Sequence, residues 1–196
     1  MRRLFLLAIS LLLLVNCAQN PEKTANPGPD EQAVTKGLKL LSTPDDNDKK
    51  VALQAFEKAC NLGNSYGCHK VGIAYNNGLY GFDKNYERAK EWYLKAAEKG
   101  YAASQQNIAN LYAYRLLGEM DDVEGYKWLV LAEKTTAECL PGSVEVEGSV
   151  SETERRRLCS LASYGQGKIK TVFRKRMSFT QIEQAEQEAQ NWTPSK

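Results

Sequence analysis

Asn85–Gly100 reads NYERAKEWYLKAAEKG, and its reading decides the fold. Tyr86, Ala89, Trp92, Tyr93, Ala96 and Ala97 recur at steps of three and four, the spacing of one broad apolar stripe on an α-helix. The small pair Ala96-Ala97 lets a neighbouring helix approach closely. Lys and Glu fill the outer face, and Gly100 stands where a left-handed cap is expected. A helix this amphipathic requires a partner to cover its stripe.

Working outward, the same pattern recurs. Upstream, VALQAFEKACNLG places Ala52, Ala55, Phe56, Ala59, Cys60 and Gly63 37 residues before Ala89, Trp92, Tyr93, Ala96, Ala97 and Gly100. Downstream, GYKWLVLAE places Trp128, Leu129 and Ala132 36 residues after Trp92, Tyr93 and Ala96. Two shorter helices lie between these copies, and Val71-Gly72-x-x-Tyr75-x-x-Gly78 matches Ile108-Ala109-x-x-Tyr112-x-x-Arg115 at a distance of 37. A period of 36–37 residues built from two helices predicts an all-α solenoid of αα-hairpins.

These residues resemble the Sel-1-like repeat, a relative of the tetratricopeptide repeat, over about Asp46–Glu138. G-x-x-Y-x-x-G falls on the first (A) helix of each hairpin and A-x-x-W-Y-x-K-A-A-x-x-G on the second (B) helix. Ala109 and Arg115 replace the two expected glycines, so a looser turn is expected in the second hairpin.

Met1–Asn16 has the composition of a targeting segment: Arg2-Arg3, then the apolar run Leu4–Val15, too short for a spanning helix. Its end, Leu14-Val15-Asn16-Cys17, resembles a bacterial lipobox. The resemblance implies lipidation of Cys17, and Ala18 resembles lipoproteins sorted to the outer membrane. Location in the periplasm, on the inner leaflet of that membrane, is the expectation.

Charge excludes one class of partner. The chain holds 26 Lys+Arg and 24 Asp+Glu, and Arg2 and Arg3 are the only charges in residues 1–16, so the remainder is neutral. The basic balance belongs to the leader, and nucleic acid is not an expected partner. Residues 17–45 are read as the lipidated cysteine and a flexible tether, with three prolines in Ala18–Ala33. Within it Val34–Leu41 suggests a short first helix, with Gly37 counting against a long one, and Thr43–Asp48 is a turn supplying an N-cap. Past the array, 139–196 is read as a loop and capping helices. One capping box, Ser151-x-x-Glu154, starts a helix to about Tyr164; Gly165-Gln166-Gly167 is a break. A second box, Ser178-x-x-Gln181, starts a final helix with Ile182, Ala185, Ala189 and Trp192 on one face.

The chain has five cysteines. With Cys17 acylated, four remain. The Cys60/Cys68 spacing resembles the cysteine-rich subclass of Sel-1-like proteins, in which the two are bridged, and Cys139 and Cys159 are then left to pair. A metal site from Cys60, Cys68 and His69 is the competing reading; it lacks a fourth ligand. No metal or cofactor is expected. His69 is the only histidine, and no G-x-S-x-G or S-x-x-K motif occurs. No catalytic residue is assigned.

Two surfaces stand out. On the A helices His69, Ile73 and Asn77, with their equivalents Gln106, Asn110 and Tyr114, avoid the core positions and are expected to form an exposed partner-binding stripe. Arg155–Met177 carries eight cations, among them Arg155, Arg156 and Arg157, and no acid. That run suggests docking to an acidic partner or to anionic headgroups. The expected function is non-enzymatic protein binding by a monomer. The resemblance implies an immunity protein neutralising a type VI-delivered toxin such as a lipase, or an envelope adaptor; a β-lactam hydrolase is the enzymatic alternative.

Overall fold

The computed structural model describes residues 27–118, 120–138 and 165–195. All regular structure among them is helical: α1 (Pro29–Leu41), α2 (Asp46–Asn61), α3 (Ser65–Asn77), α4 (Tyr86–Ala97), α5 (Ala102–Ala113), α6 (Asp122–Glu138), α7 (Gln166–Arg174) and α8 (Phe179–Asn191). Each helix packs on its neighbours in the chain from α1 to α6, while α7 rests on α5 and α6 and α8 on α6.

Local chemistry sets the boundaries. Asp45 accepts from the Asn47 N–H at 2.8 Å, and Asn64 and Asn85 cap α3 and α4 in the same way. Each capped donor would otherwise be an unpaired backbone group. The B helices α2 and α4 end alike. The Asn64 N–H reaches the Ala59 carbonyl and the Tyr101 N–H the Ala96 carbonyl, around left-handed Gly63 and Gly100. Ser178 and Gln181 form the reciprocal capping box expected at the start of α8.

Packing repeats with the sequence. Phe56 and Tyr93, one per B helix, are fully buried, and each ring lies over a glycine of its A helix. A β-carbon on Gly37 would come within 2.8 Å of Phe56, and one on Gly72 within 2.5 Å of Tyr93. In the α5–α6 hairpin Leu129 occupies the tyrosine's position and Ala109 the glycine's; both are buried.

This overturns part of the tether reading. Residues 29–33 are helical, Ala33 and Val34 are buried, and Gly37 is a contact point inside a 13-residue helix that it was expected to keep short. Aligning Gly37 on Gly72 makes α1 the A helix of a hairpin whose B helix is α2. The break placed at Gly165–Gly167 is likewise corrected: left-handed Gly165 is the N-cap of α7, which begins at Gln166.

The looser second turn is also corrected. Arg115 takes the left-handed conformation of Gly78, with φ of 57° against 65°. The same five-residue hydrogen bond follows: Leu116 N–H to the Leu111 carbonyl at 2.9 Å, matching Leu79 to Ala74 at 3.0 Å. A left-handed side-chain-bearing residue costs about 1–2 kcal/mol. Two ion pairs hold the region. Arg115 reaches Asp122 Oδ2 at 3.2 Å, and Arg176 reaches Asp122 Oδ1 at 2.7 Å and the Ala113 carbonyl at 3.0 Å.

Candidate functional site

The candidate site is the A-helix stripe, and the structure divides it. His69 and Gln106 are each 4% exposed, whereas Tyr114 is 58% exposed. Asn77 is exposed, and Ile73 and Asn110 are half-buried. The stripe therefore opens toward the C-terminal ends of α3 and α5 and closes at their N-terminal ends.

The correction for His69 and Gln106 has a packing cause. An A helix lies between its own B helix and the preceding one, so it is covered on more than one face. Residues 34, 69 and 106 are equivalent, and Val34 is 1% exposed. The position is a core position that two repeats fill with polar groups. His69 Nδ1 hydrogen-bonds Ser104 Oγ at 2.9 Å, and its ring tilts against Tyr93 and Tyr101. Burial, with a smaller effect from Lys70, lowers its pKa from 6.5 to about 3. The imidazole is neutral and inaccessible to a partner. Gln106 donates to Asn110 Oδ1 at 3.0 Å, an i,i+4 pair along α5.

Cys60 and Cys68 are bridged, with Cα atoms 4.6 Å apart, as the resemblance implied. The bond joins the end of α2 to the first turn of α3 and so connects two successive hairpins. It packs with Ala96 and half-buried Trp92 and Tyr101. Bridged sulfurs are not thiolate ligands, so the Cys60–Cys68–His69 metal reading is excluded. Cys68 and His69 cannot act as a nucleophile–base pair either. Replacing both cysteines by serine should lower unfolding stability by about 2–3 kcal/mol on the chain-entropy model. Urea titration with and without reductant checks this, and a wild-type midpoint indifferent to reductant would contradict it.

The cationic run is partly committed to internal contacts. Lys170 pairs with Glu133 at 2.6 Å, Arg174 Nε approaches the Tyr126 hydroxyl at 3.4 Å, and Arg176 holds Asp122. These contacts fasten the cap to α5 and α6. Lys168 and Lys175 are exposed. Cys17, Cys139, Cys159, Arg155, Arg156, Arg157 and the helix expected from Ser151 lie outside the described residues.

Sequence reasoning missed other exposed apolar side chains. Met120 stands on the α5–α6 connection and Phe179 at the start of α8. Neither belongs to a repeated position, so register arithmetic could not reach them; a lone Phe one residue after a capping Ser was the available signal.

Comparison with known proteins agrees with this architecture. The Sel1 repeat family matches residues 43–64 and 65–101. A 60-residue stretch is 33% identical to the ERAD-associated E3 ubiquitin-protein ligase component HRD3A of Arabidopsis thaliana, covering 31% of this chain and 9% of that protein. A protective antigen present in uropathogenic Escherichia coli strains, displaying an SLR fold, superimposes with a TM-score of 0.61 at 22% identity. That match covers 84% of this chain and 30% of the antigen's. Residues 43–101 thus carry two Sel1 repeats in tandem, set in a chain whose described residues are all-helical and similar in fold to the SLR fold.

Proposed function

We propose that the chain is a non-enzymatic protein-binding scaffold of the periplasm, anchored by lipid on Cys17, and that it neutralises a toxin delivered there. Exposed Tyr114 carries the binding reading, at the open end of a stripe with Asn77, Asn110 and Ile73. Tyrosine supplies a large rigid contact at low entropic cost, and amides supply adaptable hydrogen bonds. The compartment is supported by the leader composition of residues 1–16 and by the Cys60–Cys68 bridge, a bond that persists in oxidising surroundings.

The test is growth of cells exporting a candidate lipase toxin, with and without this chain, alongside affinity measured on the purified pair. Tyr114→Ala should weaken binding by more than about 1 kcal/mol, mainly through faster dissociation, and reduce protection in parallel. Cys17→Ala should move the protein from the membrane fraction to the soluble one. Protection unaffected by Tyr114→Ala would place the binding surface elsewhere. Unchanged membrane association of Cys17→Ala would remove the lipid anchor.

A further inference from the structure

α1 and α2 leave a groove of about 360 Å³ between them, lined chiefly by Gln32, Ala33, Lys36, Val51, Ala55 and Lys58. These residues fall at helical steps of three and four on both helices, so the groove runs between two side-chain ridges. The same face of the next hairpin is filled. Ala55 is equivalent to Trp92, and alignment of Gly37 on Gly72 makes Ala33 equivalent to Cys68. Trp92 packs there with Cys68, with Ala96 and with Cys60 from the preceding B helix. The groove is thus the face between hairpins, with alanines where a tryptophan and a bridged cysteine stand one repeat later.

Residues 18–28, AQNPEKTANPG, contain no aliphatic or aromatic side chain beyond alanine and proline. Charge identifies the occupant. Exposed Lys36 and Lys58 stand one on each wall, Gln32 adds an amide, and among the described residues no carboxylate lines the groove. Two alanines in its floor admit a helix at close range, as small residues do wherever helices cross closely.

We infer that this groove docks an amphipathic helix of a partner protein, one with a narrow stripe of small apolar residues flanked by carboxylates. The helix would take the place of a preceding B helix, adding to the array by the helix-in-groove mode. The inference rests on the reading of the chain as a binding scaffold, but uses a surface separate from Tyr114.

The probe is a synthetic 16-residue helical peptide with an alanine stripe and glutamate flanks, fluorescently labelled, titrated against the full chain. Its counterpart carries lysine for every glutamate. The glutamate peptide should bind saturably, and more weakly as salt rises. Lys36→Glu with Lys58→Glu should weaken it at least tenfold and favour the lysine peptide. Ala55→Trp, which supplies the side chain found one repeat later, should abolish binding while circular dichroism keeps its helical signal. Should that variant unfold, the lysine pair still decides. Absence of saturable binding overturns the inference, as does equal binding of both peptides or indifference to Lys36→Glu/Lys58→Glu. Binding only to phosphatidylglycerol vesicles through the same lysines would overturn it in favour of a membrane contact. Loss of the groove with Tyr114-dependent binding intact would leave the proposed function standing.

Discussion

Tyr93→Ala should destabilise the chain by about 3–5 kcal/mol, the range for deleting a buried aromatic ring. Tyr93 is 1% exposed, and its ring presses on the bare backbone of Gly72 while lying tilted against the ring of His69. Gly72 has no side chain with which to fill the vacated volume. Burial also raises the tyrosine's pKa, against a hydrogen bond with Asn107 that lowers it. Tyr93→Phe keeps the ring and loses only that bond, so it should cost about 1 kcal/mol. Urea unfolding of both variants separates the two contributions. Similar losses for both would mean that the hydroxyl, rather than the ring on Gly72, governs this layer.

Lowering the pH from 7.5 to 5 should remove about 2 kcal/mol of stability through His69 alone. The sign follows from the shift. The folded-state pKa, about 3, lies below the unfolded value of 6.5, so the unfolded chain takes up the proton first. Stability is complete above 6.5 and falls by about 1.4 kcal/mol for each further unit of acid until the folded imidazole itself titrates. Among the described residues no carboxylate holds a positive charge on the desolvated ring between Tyr93 and Tyr101, and Lys70 opposes one. His69→Gln, which can still reach Ser104, should flatten the profile between pH 7 and 5. A variant whose pH dependence matches the parent's would assign the acid sensitivity to other groups.

Much of the fold was legible because the repeat is written in register. Phe56, Tyr93 and Leu129 announce three B helices, and the capping residues announce their starts. What failed was whatever depends on a neighbour absent from the local sequence. Gly37 counts against a long helix until Phe56 is set over it. Pro29 reads as part of a proline-rich tether, although proline is suited to the first turn of a helix. His69 and Gln106 read as an exposed stripe because a helix taken alone needs only one covered face. An A helix lies between B helices, and polar side chains at the wrong angle for one interface meet another. Of the candidate surface, Ile73, Asn77, Asn110 and Tyr114 remain open, since they lie beyond the reach of the preceding hairpin.

The Cys60–Cys68 bond has a mechanical consequence. The eight backbone steps between the two cysteines could extend by at most roughly 28 Å in an open chain, yet the bridge keeps their Cα atoms 4.6 Å apart. Tension travelling along the polypeptide therefore bypasses the α2–α3 turn and passes from helix to helix through sulfur. A pull on the N-terminal side can peel α1 and most of α2, but the turn beyond them bears no load. Stretching lengthens the chain by that much less. The hairpin that follows is loaded at Cys68 rather than at its capping Asn64.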